Sequence, residues 1–214
     1  MTNDLNADWF RRLDDSDDEL FYVQPRFVVH IDDGAIKLVG EIYEKRLPVG
    51  GAILDLMSSW RSHLPARLYP SRVTGLGLNR DEMRDNPALS EVVVHNVNRG
   101  PHLPFDDATF DGAVMTVSIQ YLTRPLEVFT DVARVLRPRA PFIVTFSNRM
   151  FPTKAVAIWH NSGDRQRLEL VRRYFAESHA FENIEVFDRG NAAFSDPIWG
   201  VAGYSSGPRQ QAQS

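Results

Sequence analysis

The stretch AILDLMSSWRSHLP, Ala52 to Pro65, is an apolar run ending in a carboxylate, Asp55, followed by Met57, Ser58, Ser59, Trp60 and Arg61. A strand, an acidic tip and a tight loop can cradle a nucleotide. Glycine, which supplies positive φ and lets backbone approach a ligand closely, is missing from this one. Other chemistry-bearing residues follow apolar runs in the same way. Asn79 follows GLGL, Asn96 and Val97 close EVVVHNV, Ser118 closes GAVMTVS with Tyr121 just beyond, and Asn148 and Arg149 follow PFIVTFS. Asn148 and Arg149 can bind an anionic acceptor or simply face solvent. Upstream, FYVQPRFVVHIDD adds Tyr22, Arg26, His30 and Asp32. His30 suits general-base work, since imidazole ordinarily titrates near neutrality. The alternative is that it packs under a helix start capped by Asp32. The six histidines lack metal-ligand spacing, and without cysteine neither disulfides nor thiolate metal sites can form. No metal is expected.

The elements that must position these residues follow from periodicity. Ala35, Leu38, Val39, Ile42 and Tyr43 form one helical stripe between Asp33 and Lys45, stopped by LPVGG. The runs at 52–56, 72–78, 91–97, 112–118 and 141–147 are short, apolar and β-branched, as strands buried on both faces of a parallel sheet must be. PLEVFTDVARVL predicts a helix with Pro125 in its first turn and Leu126, Phe129, Ala133 and Leu136 on one face. A further helix is expected over about 165–179. NIEVFD (183–188) and PIWGVAGY (197–204) read as an antiparallel pair. The alternation predicts a doubly wound, mostly parallel seven-stranded α/β sheet closing in an antiparallel hairpin, with helices on both faces. In such sheets ligands bind beyond the carboxyl ends of the strands, where strand order reverses.

Residues 1–20, with the acidic run DDSDDE at 14–19, are expected to be a mobile solvated arm. A separate N-terminal helical segment is expected at 21–48, one main domain at 49–206 and a mobile tail at 207–214. The chain's 24 basic and 28 acidic residues leave a net charge of −4 and no basic patch, which argues against nucleic acid. No apolar stretch reaches membrane-spanning length and no basic-then-apolar leader opens the chain, so a cytoplasmic protein without membrane partners is expected. Oligomeric state is not legible.

The order of motifs resembles the class I S-adenosylmethionine-dependent methyltransferases of the small type 11 group, from about Ala52 to Phe146 and more loosely to Tyr204. Their LPF…FD segment is matched by Leu103-Pro104-Phe105 with Phe110-Asp111, and their RVLKPGG by RVLRPRA, 134–140. The glycine-rich turn departs from the pattern, its three glycine columns holding Met57, Ser59 and Arg61. The acidic ribose-binding column at the end of the second strand holds Gly77, with Asn79 as the nearest polar residue, and the acidic adenine-binding column holds Asn96.

The resemblance implies a Rossmann-like fold, a methyltransferase-like domain at 49–206 with 21–48 as a helical lid over its site, S-adenosyl-L-methionine as cofactor and methyl transfer to a small-molecule acceptor. It assigns cofactor binding to Asp55, Met57, Ser58, Ser59, Gly77, Leu78, Asn79, Asn96, Val97 and Ser118. His30 and Tyr121 become candidate catalytic residues, and Tyr22, Arg26, Asn148 and Arg149 candidate acceptor contacts. Asp55 would meet the cofactor's ammonium, and Asn96 with the Val97 N–H would meet adenine. The same departures also suit a second reading, a catalytically degenerate methyltransferase fold used as a binding or regulatory module. A nicotinamide-dependent enzyme is disfavoured, because its phosphate turn needs the absent glycines.

Overall fold

The computed structural model describes residues 5–190 and 195–207. Seven strands run β1 Ala52–Leu56, β2 Arg72–Gly77, β3 Glu91–Val94, β4 Gly112–Thr116, β5 Pro141–Phe146, β6 Phe181–Arg189 and β7 Ile198–Ser205. Their order across the sheet is β3-β2-β1-β4-β5-β7-β6. β1 to β5 are parallel, while β7 pairs antiparallel with both β5 and β6. The expected hairpin is therefore present, with its second strand lying inside the first. The chain winds outward from β1 to β3 and returns to lay β4 on the other side of β1, so strand order reverses between β1 and β4.

Successive strand residues feed opposite cores, as the two-residue period of a strand demands. Leu54, Met115, Phe142 and Val144 join one cluster with Phe129, Val132, Tyr174 and Phe175. Ile53, Val114 and Ile143 join the other, with Ala35, Val39, Ile42 and Tyr43. The first cluster is closed by α4 (Pro125–Val135) and α6 (Asp164–Glu177), the second by α2 (Asp33–Glu44). Asp32 caps α2 by accepting from the Ala35 N–H at 2.9 Å. β3 departs from the doubly buried expectation: it is an edge strand, its Val94 exposed. At the other edge β6 carries a register shift between Glu182 and Glu185, an irregularity that discourages edge-to-edge pairing.

The acidic run is not a solvated arm. α1 (Asp18–Phe21) follows a segment stitched to the body by Asp14 N–H to Thr153 O and Ala157 N–H to Arg11 O. Asp18 is buried, pairing with Arg12 at 2.6 Å and with the wholly buried Lys154 at 3.4 Å. A carboxylate with two cationic partners can leave water at tolerable cost, which composition alone does not reveal. Residues 1–4 of the expected arm, and the expected tail beyond Gly207, lie outside the described residues. Two short helices complete the path, α3 (Arg80–Arg84) and α5 (Ala157–His160).

Candidate active site

A cleft opens at the carboxyl ends of β1, β2 and β4, enclosing about 890 Å³ of empty space with its open mouth included. Its walls bring together Met57, Ser58, Ser59, Gly77, Leu78, Asn79, Asn96, Val97 and Ser118 from the strand tips. Tyr22, Arg26 and His30 from the N-terminal segment and Tyr121 from the turn after β4 close it. A smaller neighbouring lobe of about 460 Å³ shares Met57, Ser58 and Ser59, and reaches Asp55 and His63.

The glycine-free turn keeps the glycine conformation. Met57, in the first glycine column, has φ 56°, the left-handed region where a side chain costs energy. The β1–β2 ladder continues past it, with Ser58 N–H donating to Leu76 O at 2.8 Å. Arg61 does not fill the cleft. Its guanidinium stacks 3.7 Å over the Trp60 ring and donates to the carbonyls of Trp60 and Asp85. Trp60 ties the turn to the N-terminal segment through Nε1–H to Val28 O, while its ring meets Phe27 edge-on.

Several expected contacts are already committed within the protein. Asp55 accepts from the hydroxyls of Ser58 and Ser62, both at 2.6 Å, and faces the smaller lobe rather than the main cleft. Burial pushes its carboxyl up to about 6, against the lowering effect of those two hydroxyls. Asn96 spends its side-chain oxygen on the N–H groups of Asn98 and Arg99, the turn-forming alternative for such a residue. Asn79 caps α3 through the N–H groups of Asp81 and Glu82, and its amide donates to Tyr22 O. Asp32 caps α2 and accepts from the Ser195 hydroxyl, and it does not line the cleft. Asn148 and Arg149 lie outside the cleft, both exposed, with Arg149 paired to Asp196.

Phe151 is a cleft residue that sequence reasoning missed. It makes ring contacts with Phe21, Tyr22, His30 and Tyr121. Its N–H donates to the Tyr121 hydroxyl at 2.8 Å, and burial raises the Tyr121 pKa, so that hydroxyl stays protonated. The His30 ring, exposed on one side, rests edge-on against Phe151 at 5.1 Å. The desolvation of that packing lowers its pKa below the ordinary value, and the Glu82 charge partly restores it. Arg26 sits among three rings, 4.4 Å from Phe21, 5.4 Å from Phe151 and 5.6 Å from Tyr22. One of its terminal nitrogens donates to Phe21 O; the other, Nη1, is buried without a hydrogen-bond partner among the described residues. Glu82 and Asp18, also unforeseen, are the carboxylates lining the cleft.

The two motifs that carry the resemblance turn out to brace each other. Arg134 of RVLRPRA donates to the carbonyls of Leu103 and Phe105 and pairs with Asp107 and Asp131. Asp111 accepts from Ala52 N–H, fixing the start of β1. Both motifs hold the loops that frame the cleft rather than lining it.

An open sheet with this strand order, a terminal antiparallel pair and a cleft at the reversal point defines the class I methyltransferase architecture. Residues 59–144 match the family described as "Methyltransferase domain", type 11. A fatty-acid O-methyltransferase of Mycolicibacterium smegmatis is 40% identical over 90 residues, covering 39% of this chain and 31% of that protein. The chain thus matches about a third of the curated relative's length. Among solved structures, an S-adenosylmethionine-dependent methyltransferase of Aquifex aeolicus matches with TM-score 0.55 and 16% identity, over 81% of this chain and 98% of that one. Phosphoethanolamine N-methyltransferase 2 of Haemonchus contortus, in complex with S-adenosyl-L-methionine, matches with TM-score 0.55 and 14% identity, over 78% and 51%. At these identities the structural likeness establishes the fold.

S-adenosylmethionine is the cofactor of this domain, and the residues present fit it. The hollow beside the β1 turn is open, Leu78 and Val97 give it apolar walls, and the Ser118 hydroxyl is buried there without a partner among the described residues. A buried orphan hydroxyl is costly unless something polar meets it. No described helix is long and apolar enough to cross a membrane, and among the described residues no cluster suited to a metal is found.

Proposed function

We propose that this protein transfers a methyl group from S-adenosylmethionine to the carboxylate oxygen of a small, partly apolar acid. The observation that carries the reading is Arg26, a guanidinium bordering the cleft with one buried nitrogen unpartnered among the described residues. A planar fork with an idle donor matches a carboxylate. The rings of Phe21, Tyr22 and Phe151 around it lower the local dielectric and strengthen that match. Val23, Phe27, Val28 and Val29 are exposed on the same segment, giving an apolar chain somewhere to lie. The fatty-acid substrate named for the M. smegmatis relative supports the same acceptor class.

When bound, S-adenosylmethionine supplies an electrophilic methyl on a sulfonium, and so carries the difficult part of the chemistry. The chain's share is positioning. Such alignment supplies ~7–11 kcal/mol in favourable cases. A carboxylic acid is already ionised at neutral pH, so no proton needs removing and His30 need not act as a base. Desolvation and then the Arg26 charge lower its pKa, favouring the neutral ring beside Arg26. Tyr121, protonated, holds Phe151 in place. Ser118, Leu78 and Val97 would contact the cofactor. A cytoplasmic setting belongs to this reading, and neither nucleic acid nor membrane is required by it.

The test is incubation with methyl-labelled S-adenosylmethionine and separate panels of fatty acids, alcohols and amines. Label released as methanol by mild alkali, from the acid panel alone, is the expected result. Transfer only to amines or alcohols would overturn the carboxylate assignment. Failure to bind S-adenosylhomocysteine even at millimolar concentration would favour the degenerate-scaffold alternative.

A further inference from the structure

The β2 tip lacks the acidic residue that would hold a ribose, and the structure explains why it must. A Cβ built on Gly77 would stand 2.2 Å from the backbone oxygen of Ser58. The glycine-free turn leans over β2, so the column is closed to any side chain. Asn79 cannot substitute, since both ends of its amide are engaged.

The other carboxylate within reach is Glu82. It occupies the third position of α3, where a glutamate commonly bends back to the helix's own capping residue. Here it is drawn the other way. It is 5% exposed and lines the cleft, with one oxygen accepting from the Ser59 hydroxyl at 2.6 Å and the other from the Arg26 N–H at 2.7 Å. A carboxylate offers about four lone-pair directions, so two neutral donors leave it half used. Asp18, the alternative, is already neutralised by two cations, Arg12 and Lys154, and also accepts from the Asn98 amide.

We propose that Glu82 replaces the missing β2-tip carboxylate, accepting hydrogen bonds from the ribose hydroxyls of the cofactor. Because it already holds the turn through Ser59 and the lid through Arg26 N–H, it couples cofactor occupancy to the order of the lid. This rests on the cofactor assignment above, and not on the identity of the acceptor.

Calorimetric titration of the full chain with S-adenosylhomocysteine and its 2′-deoxy counterpart, on wild type and Glu82→Gln, provides the test. Removing either the hydroxyl or the charge is expected to cost roughly 10- to 100-fold in affinity, the weight of a hydrogen bond to a charged acceptor. Removing both is expected to cost little more than either alone, since the groups act as one pair. Multiplicative losses would overturn the proposal. Should Glu82→Gln fail to fold, hydrogen exchange at the Arg26 amide of the wild type decides the matter. It is expected to slow with S-adenosylhomocysteine and much less with the deoxy ligand; equal slowing overturns the assignment. If the wild type binds both ligands equally, only Glu82's role falls. If it binds neither, the methyltransferase reading falls with it.

Discussion

The indole Nε1–H of Trp60 donates to the carbonyl of Val28 at 2.8 Å, so the turn that lost its glycines also holds down the segment closing the cleft. Trp60→Phe keeps an aromatic ring beside Phe27 and deletes one neutral hydrogen bond, worth ~0.5–1.5 kcal/mol. Amide exchange across 22–31 should accelerate about 2- to 10-fold, with little change in global melting. Unchanged exchange there would mean that the segment is held elsewhere.

Placing an acid at the β2 tip should do harm. Gly77→Asp brings a Cβ against the Ser58 carbonyl, a backbone atom that cannot swing aside as a flexible side chain would. Overpacking of this kind costs ~1–3 kcal/mol. The melting temperature should drop, and affinity for S-adenosylhomocysteine should not rise. A tighter-binding variant would mean that the turn adjusts and the column is open after all.

The framework was legible because its signals are local. Runs such as PFIVTF and GAVMT must be buried on both faces, and Pro125 with the Phe129 face announces α4. Most cleft walls could likewise be anticipated, since residues at strand tips converge wherever a doubly wound sheet reverses. The roles of Asp55, Asn79 and Asn96 were less accessible. Whether a polar side chain faces a ligand or satisfies neighbouring N–H and O–H groups depends on loop path, not residue type. Phe151 and Glu82 carried no periodic signal at all. Their positions come from residues 21–30 folding back across the sheet, a long-range packing event. Asn148 and Arg149 fell outside because the chain turns away after β5, leaving Arg149 to Asp196.

Arg26→Gln separates the acceptor site from the cofactor site. The backbone N–H that meets Glu82 is retained, so S-adenosylhomocysteine affinity should change less than about threefold, within the spread of an untouched contact. Loss of the guanidinium should raise KM for a carboxylate acceptor roughly 10- to 100-fold, from ~1.5–3 kcal/mol for a charged hydrogen bond. Steady-state kinetics with both substrates varied checks this. An unchanged acceptor KM would remove Arg26 from acceptor recognition.

Asp55 should leave a signature in the pH dependence of stability. Its carboxyl is pushed up to about 6 in the folded protein, chiefly by burial, against an ordinary value of 3.8. Between those values the folded state keeps a proton that the unfolded chain has already released. Folding therefore takes up a proton in this window, and stability from this group falls as pH rises through it, flattening above about pH 7. A difference near two pH units corresponds to on the order of 3 kcal/mol. Asp55→Asn preserves an oxygen for the Ser58 and Ser62 hydroxyls but does not titrate. Urea unfolding at several pH values from about 4.5 to 7.5 should show the wild type losing ground steadily relative to the variant. Parallel stability curves would mean that the buried carboxyl ionises as readily as an exposed one, and that water reaches it beneath the turn.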